Sequence, residues 1–192
     1  MRPMKTIVWD VDDTLNDLMR VWLEAWFLPR HRGVKAAFND LKVNPPAGIL
    51  GLTQAEYIRS YDEFRLSGVY AALPPDRAVM SWFRANGHKY RHVALTAVPL
   101  CAAHESAGWV YRHFGKWIRT FHVVPSARKN FKAPDYDVTK VDFIRRMDRC
   151  DVFVDDSPQN LAPAAKLGVK CLLTPRPWNG APGTIADVLA AI

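Results

Sequence analysis

Short apolar runs alternate with helical patterns along most of the chain. Between the last four runs, hydrophobic residues recur at helical spacing near 100–114, 138–148 and 158–167. Strands that alternate with helices favour a parallel sheet covered by helices on both faces. The pattern therefore predicts an α/β fold with a doubly wound, Rossmann-like parallel sheet of five strands, at residues 5–9, 91–95, 119–124, 151–154 and 169–173.

The interval between the first two apolar runs is too long for one crossover helix. Apolar residues at helical spacing predict a helix over 16–28, and Thr53-Gln54-Ala55-Glu56 fits a capping box that opens a second helix reaching Leu66, with Gly68 beyond its end. Pro74-Pro75-Asp76 then begins a helix to about Asn86. We therefore predict an α/β core of residues 1–16 and 75–192, with residues 17–74 inserted as a small helical cap.

Carboxylates follow two of the predicted strands. Asp10 and Asp12 come after Ile7-Val8-Trp9, and Asp155 and Asp156 come after Val152-Phe153-Val154. Parallel sheets place their ligand sites at the carboxyl ends of strands, and gathered carboxylates repel one another unless a cation holds them. The pattern predicts a divalent metal, most simply Mg²⁺, beside a carboxylate that could attack phosphorus.

The order of these motifs resembles the haloacid dehalogenase (HAD) superfamily of phosphotransferases. Its first motif is matched by Asp10, Asp12 and Thr14, its second by Thr96 at the end of Val93-Ala94-Leu95, and its fourth by Asp155-Asp156. A solvated acidic turn and a helix N-cap are the alternative interpretations of the two acidic motifs. The resemblance covers nearly the whole chain, and it implies a phosphatase with an inserted cap that selects the substrate.

The resemblance also implies roles for individual residues. Asp10 would be the nucleophile, and Asp12 would protonate the leaving oxygen and later activate water. Magnesium would bind the Asp10 carboxylate, the backbone carbonyl of Asp12 and the Asp156 carboxylate, with Asp155 supporting it or binding through water. Thr96 would bind a phosphate oxygen, helped by the backbone N–H of Ala97 in the loop before the next helix.

The third-motif lysine is open to three candidates. Lys140 lies at a predicted helix start, where Asp137 or Thr139 could cap the helix. Lys129 and Lys132 lie in the preceding loop and are its rivals.

The segment after the fifth strand, together with the pattern Asp155-Asp156-Ser157-Pro158-x-Asn160 and the short interval from the lysine to these aspartates, resembles the 5′(3′)-deoxyribonucleotidase branch of the superfamily. Thr174-Pro175-Arg176-Pro177-Trp178-Asn179 should return over the site, so Trp178 is a candidate for contact with a base. The chain departs from that branch at Asp13, where glycine is usual, and at Ala97-Val98-Pro99 in the second motif. Trp22 and Trp26 lie on the apolar stripe of their helix, which favours core packing over stacking on a base.

The amino-acid composition limits the kinds of binding partner and the cellular compartment that we expect for this protein. With 49% hydrophobic and 23% charged residues, the chain resembles an ordinary globular protein, and no apolar stretch is long enough to span a bilayer. The three cysteines are widely spaced, which is typical of buried free thiols, and the first apolar run begins too early for a signal peptide, so we expect a cytoplasmic protein. The net charge of +7 favours anionic ligands.

The sequence thus predicts a Mg²⁺-dependent phosphomonoesterase acting on a small phosphorylated substrate, a nucleoside monophosphate in the leading interpretation. A phosphatase for another small metabolite is the alternative. A non-catalytic nucleic-acid-binding module is a remote one, because Arg and Lys are spread over the whole chain. We expect no stable nucleic-acid partner, and the sequence does not indicate an oligomeric state.

Overall fold

The computed structural model describes residues 4–126, 128 and 135–192. Five parallel strands form one sheet in the order β3-β2-β1-β4-β5, which confirms the predicted fold class. Their bounds are β1 (Thr6–Trp9), β2 (Arg91–Val98), β3 (Ile118–Pro125), β4 (Val152–Asp155) and β5 (Lys170–Leu173).

The first strand lies at the centre of the sheet. Trp9 of β1 pairs with Ala94 of β2 on one side and with Val154 of β4 on the other. All four residues of β1 and all four of β4 are buried, as expected for parallel strands covered on both faces. The acidic residues that follow these two strands are therefore brought to the same edge of the sheet.

The segment between β1 and β2 begins with three short consecutive helical pieces. These are α1 (Leu18–Val21), a π-helical segment (Trp22–Phe27) and α2 (Leu28–Arg30). As expected, Trp22 is fully buried in the core, whereas Trp26 is only partly buried.

A longer helix, α3 (Gln54–Arg65), follows in the same segment, and its capping box forms as predicted. The Glu56 N–H donates to Thr53 Oγ1 at 3.2 Å, and the Thr53 N–H donates to Glu56 Oε2 at 2.8 Å. Gly68 lies beyond the end of this helix, as predicted: α3 ends with Leu66 as its cap, and Gly68 opens the next helix, α4 (Gly68–Ala71), which is capped by Ser67.

The predicted core helices are present, and they cover both faces of the sheet. Ile7 and Trp9 of β1 pack in one cluster with residues of α5, α6 and α9, and Val8 packs in the other with residues of α7 and α8. The helices are α5 (Arg77–Asn86), α6 (Ala103–Phe114), α7 (Lys140–Arg146), α8 (Pro158–Ala165) and α9 (Ile185–Ala190).

The chain leaves the sheet after β1 and returns to α5 at the same place. Asn16 and Pro75 form an antiparallel bridge, and the Asp76 N–H donates to the Leu15 carbonyl at 2.9 Å. The inserted helices share a hydrophobic cluster with the sheet: Trp22 and Phe64 belong to the same cluster as Trp9. The segment is thus a closed excursion that is packed onto the core.

The expectation of buried free thiols is met only in part. The cysteines of the described chain are free, but Cys101 is exposed and the other two are only partly buried, so the expectation of buried thiols is wrong for Cys101. Among the described residues, no helix combines the length and apolar character needed to cross a membrane.

Candidate active site

The first acidic residue lies directly beyond the central strand. Asp10 is 4% exposed, and its N–H donates to the Val154 carbonyl of β4 at 2.9 Å, which extends the pairing of the two strands by one step. Thr14 Oγ1 lies 3.5 Å from Asp10 Oδ2. The loop after β1 therefore folds back on Asp10 and places Thr14 beside its carboxylate.

The second acidic pair is held by the loop and the helix α8 that follow β4, and by the loop that follows β5. The Asp155 carboxylate accepts hydrogen bonds from the Ser157 N–H at 2.8 Å and from Asn160 Nδ2 at 3.1 Å. Asp156 Oδ2 accepts from Trp178 Nε1 at 2.9 Å. Asn160 therefore orients Asp155, and Trp178 contacts a carboxylate as well as facing the cavity described below.

Asp10, Asp155 and Asp156 form a cluster that fits a divalent cation. One carboxylate oxygen from each lies within 4.8 Å of the others, and all three residues are buried. Burial raises the pKa of Asp10 well above its usual range, and it raises that of Asp156 to about 8, with repulsion from Asp155 as a second cause. Three hard oxygen ligands gathered in one buried cluster are a donor set suited to Mg²⁺.

Lys140 is the cation within this cluster. It is the first residue of α7, whose N-cap is Thr139, and its Nζ lies 2.5 Å from Asp10 Oδ1 and 2.7 Å from Asp155 Oδ2. Although burial acts to lower it, the two carboxylates raise the pKa of Lys140 above its ordinary value. The cluster thus contains one ammonium group and three carboxylates, and a divalent ion would balance the negative charge that Lys140 leaves uncompensated. Lys129 and Lys132, the rival candidates, lie outside the described residues.

Asp12 is paired with an arginine from the inserted segment. Nη1 of Arg65, at the end of α3, donates to Asp12 Oδ2, and both side chains are nearly buried. Arg65 Nε is buried without a hydrogen-bond partner in the part of the chain that the structure describes. Sequence reasoning missed Arg65, although Tyr57, Tyr61 and Arg65 recur every four residues along one face of α3.

Arg176 is a second residue that sequence reasoning missed. Its Nε donates to the Asp13 carbonyl at 2.7 Å, its Nη2 donates to the Asn16 carbonyl at 3.1 Å, and its Nη1 pairs with Asp17. Asp13 has a positive φ of 59°, and burial raises the pKa of its carboxyl to about 7. Arg176 therefore ties the loop after β5 to the loop that carries Asp10 and Asp12.

Thr96 and Ala97 lie on β2, and their placement corrects the sequence-based expectation. Thr96 was expected to close its strand and Ala97 to lie in the following loop, but β2 continues to Val98 and Ala97 pairs with Val124 of β3. The pairing of β2 with β1 ends at Ala94, so these two residues extend past the central strand at the site edge. Both line the cavity beside Asp10.

A cavity of about 610 Å³ joins these residues to α3. Its wall contains the rings of Tyr57, Tyr61 and Trp178. Arg128 also lines it and forms two hydrogen bonds with Asp62 of α3, each 2.7 Å long. The remaining wall is rich in side-chain amides and hydroxyls, from Asn44, Gln54, Ser126, Ser157, Gln159, Asn160 and Asn179.

Comparison with known proteins identifies the fold. No family model and no curated protein matches the chain. A haloacid dehalogenase-like hydrolase from Streptococcus pneumoniae is 14% identical with a TM-score of 0.61, over 99% of this chain and 91% of that one. A HAD-superfamily hydrolase from Geobacter sulfurreducens is 11% identical with a TM-score of 0.57, over 99% and 100%.

A third similar structure was solved with a metal. YfnB from Bacillus subtilis, bound to magnesium, is 12% identical with a TM-score of 0.56, over 90% of this chain and 87% of that one. At such identities the comparisons show a shared HAD-like fold.

Proposed function

We propose that this protein is a Mg²⁺-dependent phosphomonoesterase that works through an aspartyl-phosphate. The observation that carries the proposal is the position of Asp10, which contacts the Lys140 ammonium group and clusters with Asp155 and Asp156 at the end of the central strand. A buried carboxylate held by a cation, beside further carboxylates that suit a divalent ion, is the arrangement that nucleophilic attack on a phosphate ester requires.

Asp10 would form the covalent bond to phosphorus. One carboxylate oxygen attacks in line, the new O–P bond forms, and the bond from phosphorus to the ester oxygen breaks. In the second half, water attacks the same phosphorus and releases Asp10 and inorganic phosphate. Lys140, which contacts Asp10, supplies positive charge next to the transferred group throughout both halves.

Asp12 would move the proton in both halves. It gives a proton to the departing ester oxygen and takes one from the attacking water. Because Asp12 is held by Arg65, its carboxylate has one orientation, towards the cavity shared with Asp10. We propose Arg65 as the residue that positions Asp12.

The metal would be held by Asp10, Asp156 and the backbone carbonyl of Asp12, with Asp155 in support. When bound, it neutralises negative charge on the carboxylates and the phosphate. Asp155 already accepts hydrogen bonds from Lys140 and Asn160, which favours a supporting role over direct coordination. Thr96 and Ala97, at the same edge, would contact the phosphate oxygens.

Residues 17–74 would act as the cap that selects the substrate. Helix α3 places Gln54, Tyr57, Tyr61 and Arg65 on the cavity wall opposite the strand ends. The core residues contact only phosphate and metal, which all substrates share, so discrimination falls to this segment and to the Trp178 loop.

A nucleoside monophosphate is the substrate that we favour. The cavity has the volume of a small-molecule site, and Tyr57, Tyr61 and Trp178 offer ring surfaces to a base. The amides of Asn44, Gln54 and Gln159 support a second candidate, a phosphorylated metabolite rich in hydroxyl groups, because amides bind hydroxyls readily.

Phosphate release by the purified chain tests the proposal. With Mg²⁺, a panel of nucleotides, sugar phosphates and phosphorylated cofactors should include substrates, with nucleoside monophosphates preferred. Asp10→Asn should abolish turnover because an amide cannot attack phosphorus as a carboxylate does, and Asp148→Asn, an exposed site at the other end of the sheet, should not. Turnover by Asp10→Asn within about tenfold of wild type would refute the mechanism.

A further inference from the structure

A second cavity opens at the opposite edge of the sheet. Its volume is about 870 Å³, and its wall includes Thr6 at the start of β1, Arg91 at the start of β2, Trp117 just before β3 and Arg119 within it. The carboxylate cluster lies at the other ends of these parallel strands. This cavity is therefore separate from the proposed active site and has the size of a small-molecule site.

The wall of the second cavity is strongly cationic. Arg91, Lys116, Arg119 and Arg149 line it, against the single carboxylate of Asp148. Arg149 is engaged by Asp151, but in the part of the chain that the structure describes neither Arg91 nor Arg119 forms an ion pair. The two exposed arginines lie on neighbouring strands, where both could reach one anionic group.

Two partly buried aromatic rings lie beside these cations. Trp117 packs so closely on Gly87 that a Cβ at that position would come within 2.5 Å of the indole ring, and it also contacts Phe83 at 5.5 Å between ring centroids. Tyr90 stacks on Trp82 at 5.7 Å. The rings are thus held in place before any ligand arrives, and they offer a flat apolar surface next to positive charge.

We propose that this second cavity, named here the basal groove, binds a mononucleotide. A nucleotide combines a phosphate, which suits Arg91 and Arg119, with a flat base, which suits Trp117 and Tyr90. The groove is built from side chains that take no part in the proposed hydrolysis, so its ligand would bind whether or not the protein is a phosphatase.

Binding can be measured without interference from catalysis. The whole chain, kept metal-free with EDTA, is titrated with ADP that carries a fluorescent ribose label, and fluorescence anisotropy is followed. Arg91→Glu/Arg119→Glu should lose about tenfold or more in affinity, because two charge-assisted contacts are replaced by repulsion. Lys35→Glu/Lys166→Glu changes two exposed lysines elsewhere by the same charge and should bind as wild type does.

Competition then separates the two halves of the ligand. Unlabelled ADP should displace the probe at lower concentrations than either adenosine or pyrophosphate. Equal competition by pyrophosphate would show a plain anion site and overturn the nucleotide assignment, as would equal competition by adenosine. An oligonucleotide that binds more than about tenfold tighter than ADP would overturn it in favour of a nucleic-acid surface.

The variants themselves decide whether the groove is the site. If the Arg91/Arg119 variant binds as tightly as wild type, or if the Lys35/Lys166 variant loses as much affinity, the ligand binds elsewhere and the proposal is wrong. Equal thermal unfolding temperatures of the two variants and the wild type show that each is folded. Replacing Trp117 with Leu should weaken ADP more than pyrophosphate, since only ADP has a base to stack.

Discussion

Lys140 Nζ lies 2.5 Å from Asp10 Oδ1 and bridges that carboxylate to Asp155 in a buried ion cluster. The lysine comes from the first turn of a helix, and the two acids come from the ends of neighbouring strands. The fixed direction of the Asp10 carboxylate depends on this contact. Lysine at this position therefore serves both the fold and the proposed chemistry.

Lys140→Ala should lower turnover far more than either rival substitution. Loss of one preorganised charge at a phosphoryl site costs about 3 kcal/mol, or about a hundredfold in rate. Steady-state phosphate release by Lys140→Ala, Lys129→Ala and Lys132→Ala makes the comparison at matched stability. The largest loss in Lys129→Ala or Lys132→Ala would move the third-motif role to that loop.

Removal of Arg65 alone should destabilise the protein more than removal of the pair. Arg65→Met leaves the Asp12 carboxylate nearly buried without its partner, which costs about 3 kcal/mol. Asp12→Asn combined with Arg65→Met removes both charges and should therefore cost less than Arg65→Met alone. Urea unfolding of the four proteins gives the coupling energy.

An exposed ion pair is the control for this cycle. Arg145 pairs with Asp142 at 3.3 Å, and its side chain is 57% exposed, so Arg145→Met should cost less than about 1 kcal/mol. The exposed pair is expected to contribute less than about 1 kcal/mol. A coupling energy between Asp12 and Arg65 that is no larger than this value would show that the buried pair does not hold Asp12 in position.

Whether a residue of the site can be predicted from the sequence depends on how far apart in the chain its contacts lie. Asp10 and Asp155 were predicted to lie near each other because each follows an apolar run, and a parallel sheet brings such ends together. Arg65 was not predicted, because its contact with Asp12 spans 53 residues and depends on how α3 packs over the sheet.

The misplacement of Ala97 has the same kind of cause. Apart from Thr96, the residues from Val93 through Val98 are apolar, so no local signal marks where the pairing of β2 with β1 ends and β2 begins to line the cavity. In this chain, local pattern was enough for the strands and their acids. The opposing wall of the site required tertiary packing.

Two substitutions, Trp178→Ala and Trp178→Phe, should show whether the Trp178 ring stacks on the base of the substrate or supports the proposed metal ligand Asp156. Trp178 lines the cavity, and it also donates its indole N–H to Asp156. If the ring stacks on a base, Trp178→Ala should raise KM for a nucleoside monophosphate about tenfold, and Trp178→Phe, which keeps a ring, should raise it less.

p-Nitrophenyl phosphate, which lacks a base, serves as the reference substrate for both variants. Its hydrolysis should change little in Trp178→Ala if the ring acts on the base alone. Equal losses on both substrates, in both variants, would mean that the contact with Asp156 is what matters. The second candidate, a non-nucleotide metabolite, would then be favoured.

Stability of the metal-free protein should fall as pH rises. Burial raises the pKa of Asp13 to about 7 and that of Asp156 to about 8, whereas both would titrate near 3.9 in an unfolded chain. Between those values the folded state binds more protons than the unfolded state, so raising the pH costs folding free energy. The unfolding temperature measured in EDTA should therefore drop between about pH 5 and pH 8.

Mg²⁺ should reverse this loss, because a cation favours the ionised carboxylates. The rise in unfolding temperature on adding Mg²⁺ should be larger at about pH 8 than at about pH 5. Asp156→Asn should flatten the pH dependence of the unfolding temperature. Asp142→Asn should not, because hydrogen bonds from Thr139 lower the pKa of Asp142, so that this carboxyl is already ionised throughout this pH range. A pH-independent unfolding temperature in EDTA would contradict the assignment of buried, protonated carboxyls.

One of the two hydrophobic clusters extends from the sheet into the inserted helices. This continuity limits how such a protein can be re-engineered. Trp109 of α6 donates its indole N–H to the Leu73 carbonyl at 2.7 Å, and Trp22, Phe64 and Trp9 share one apolar interior. A chimaera that receives residues 17–74 from another protein would join two apolar surfaces that do not pack against each other. New specificity in this scaffold is more readily obtained by changing the cavity-facing side of α3 while its buried side stays as it is.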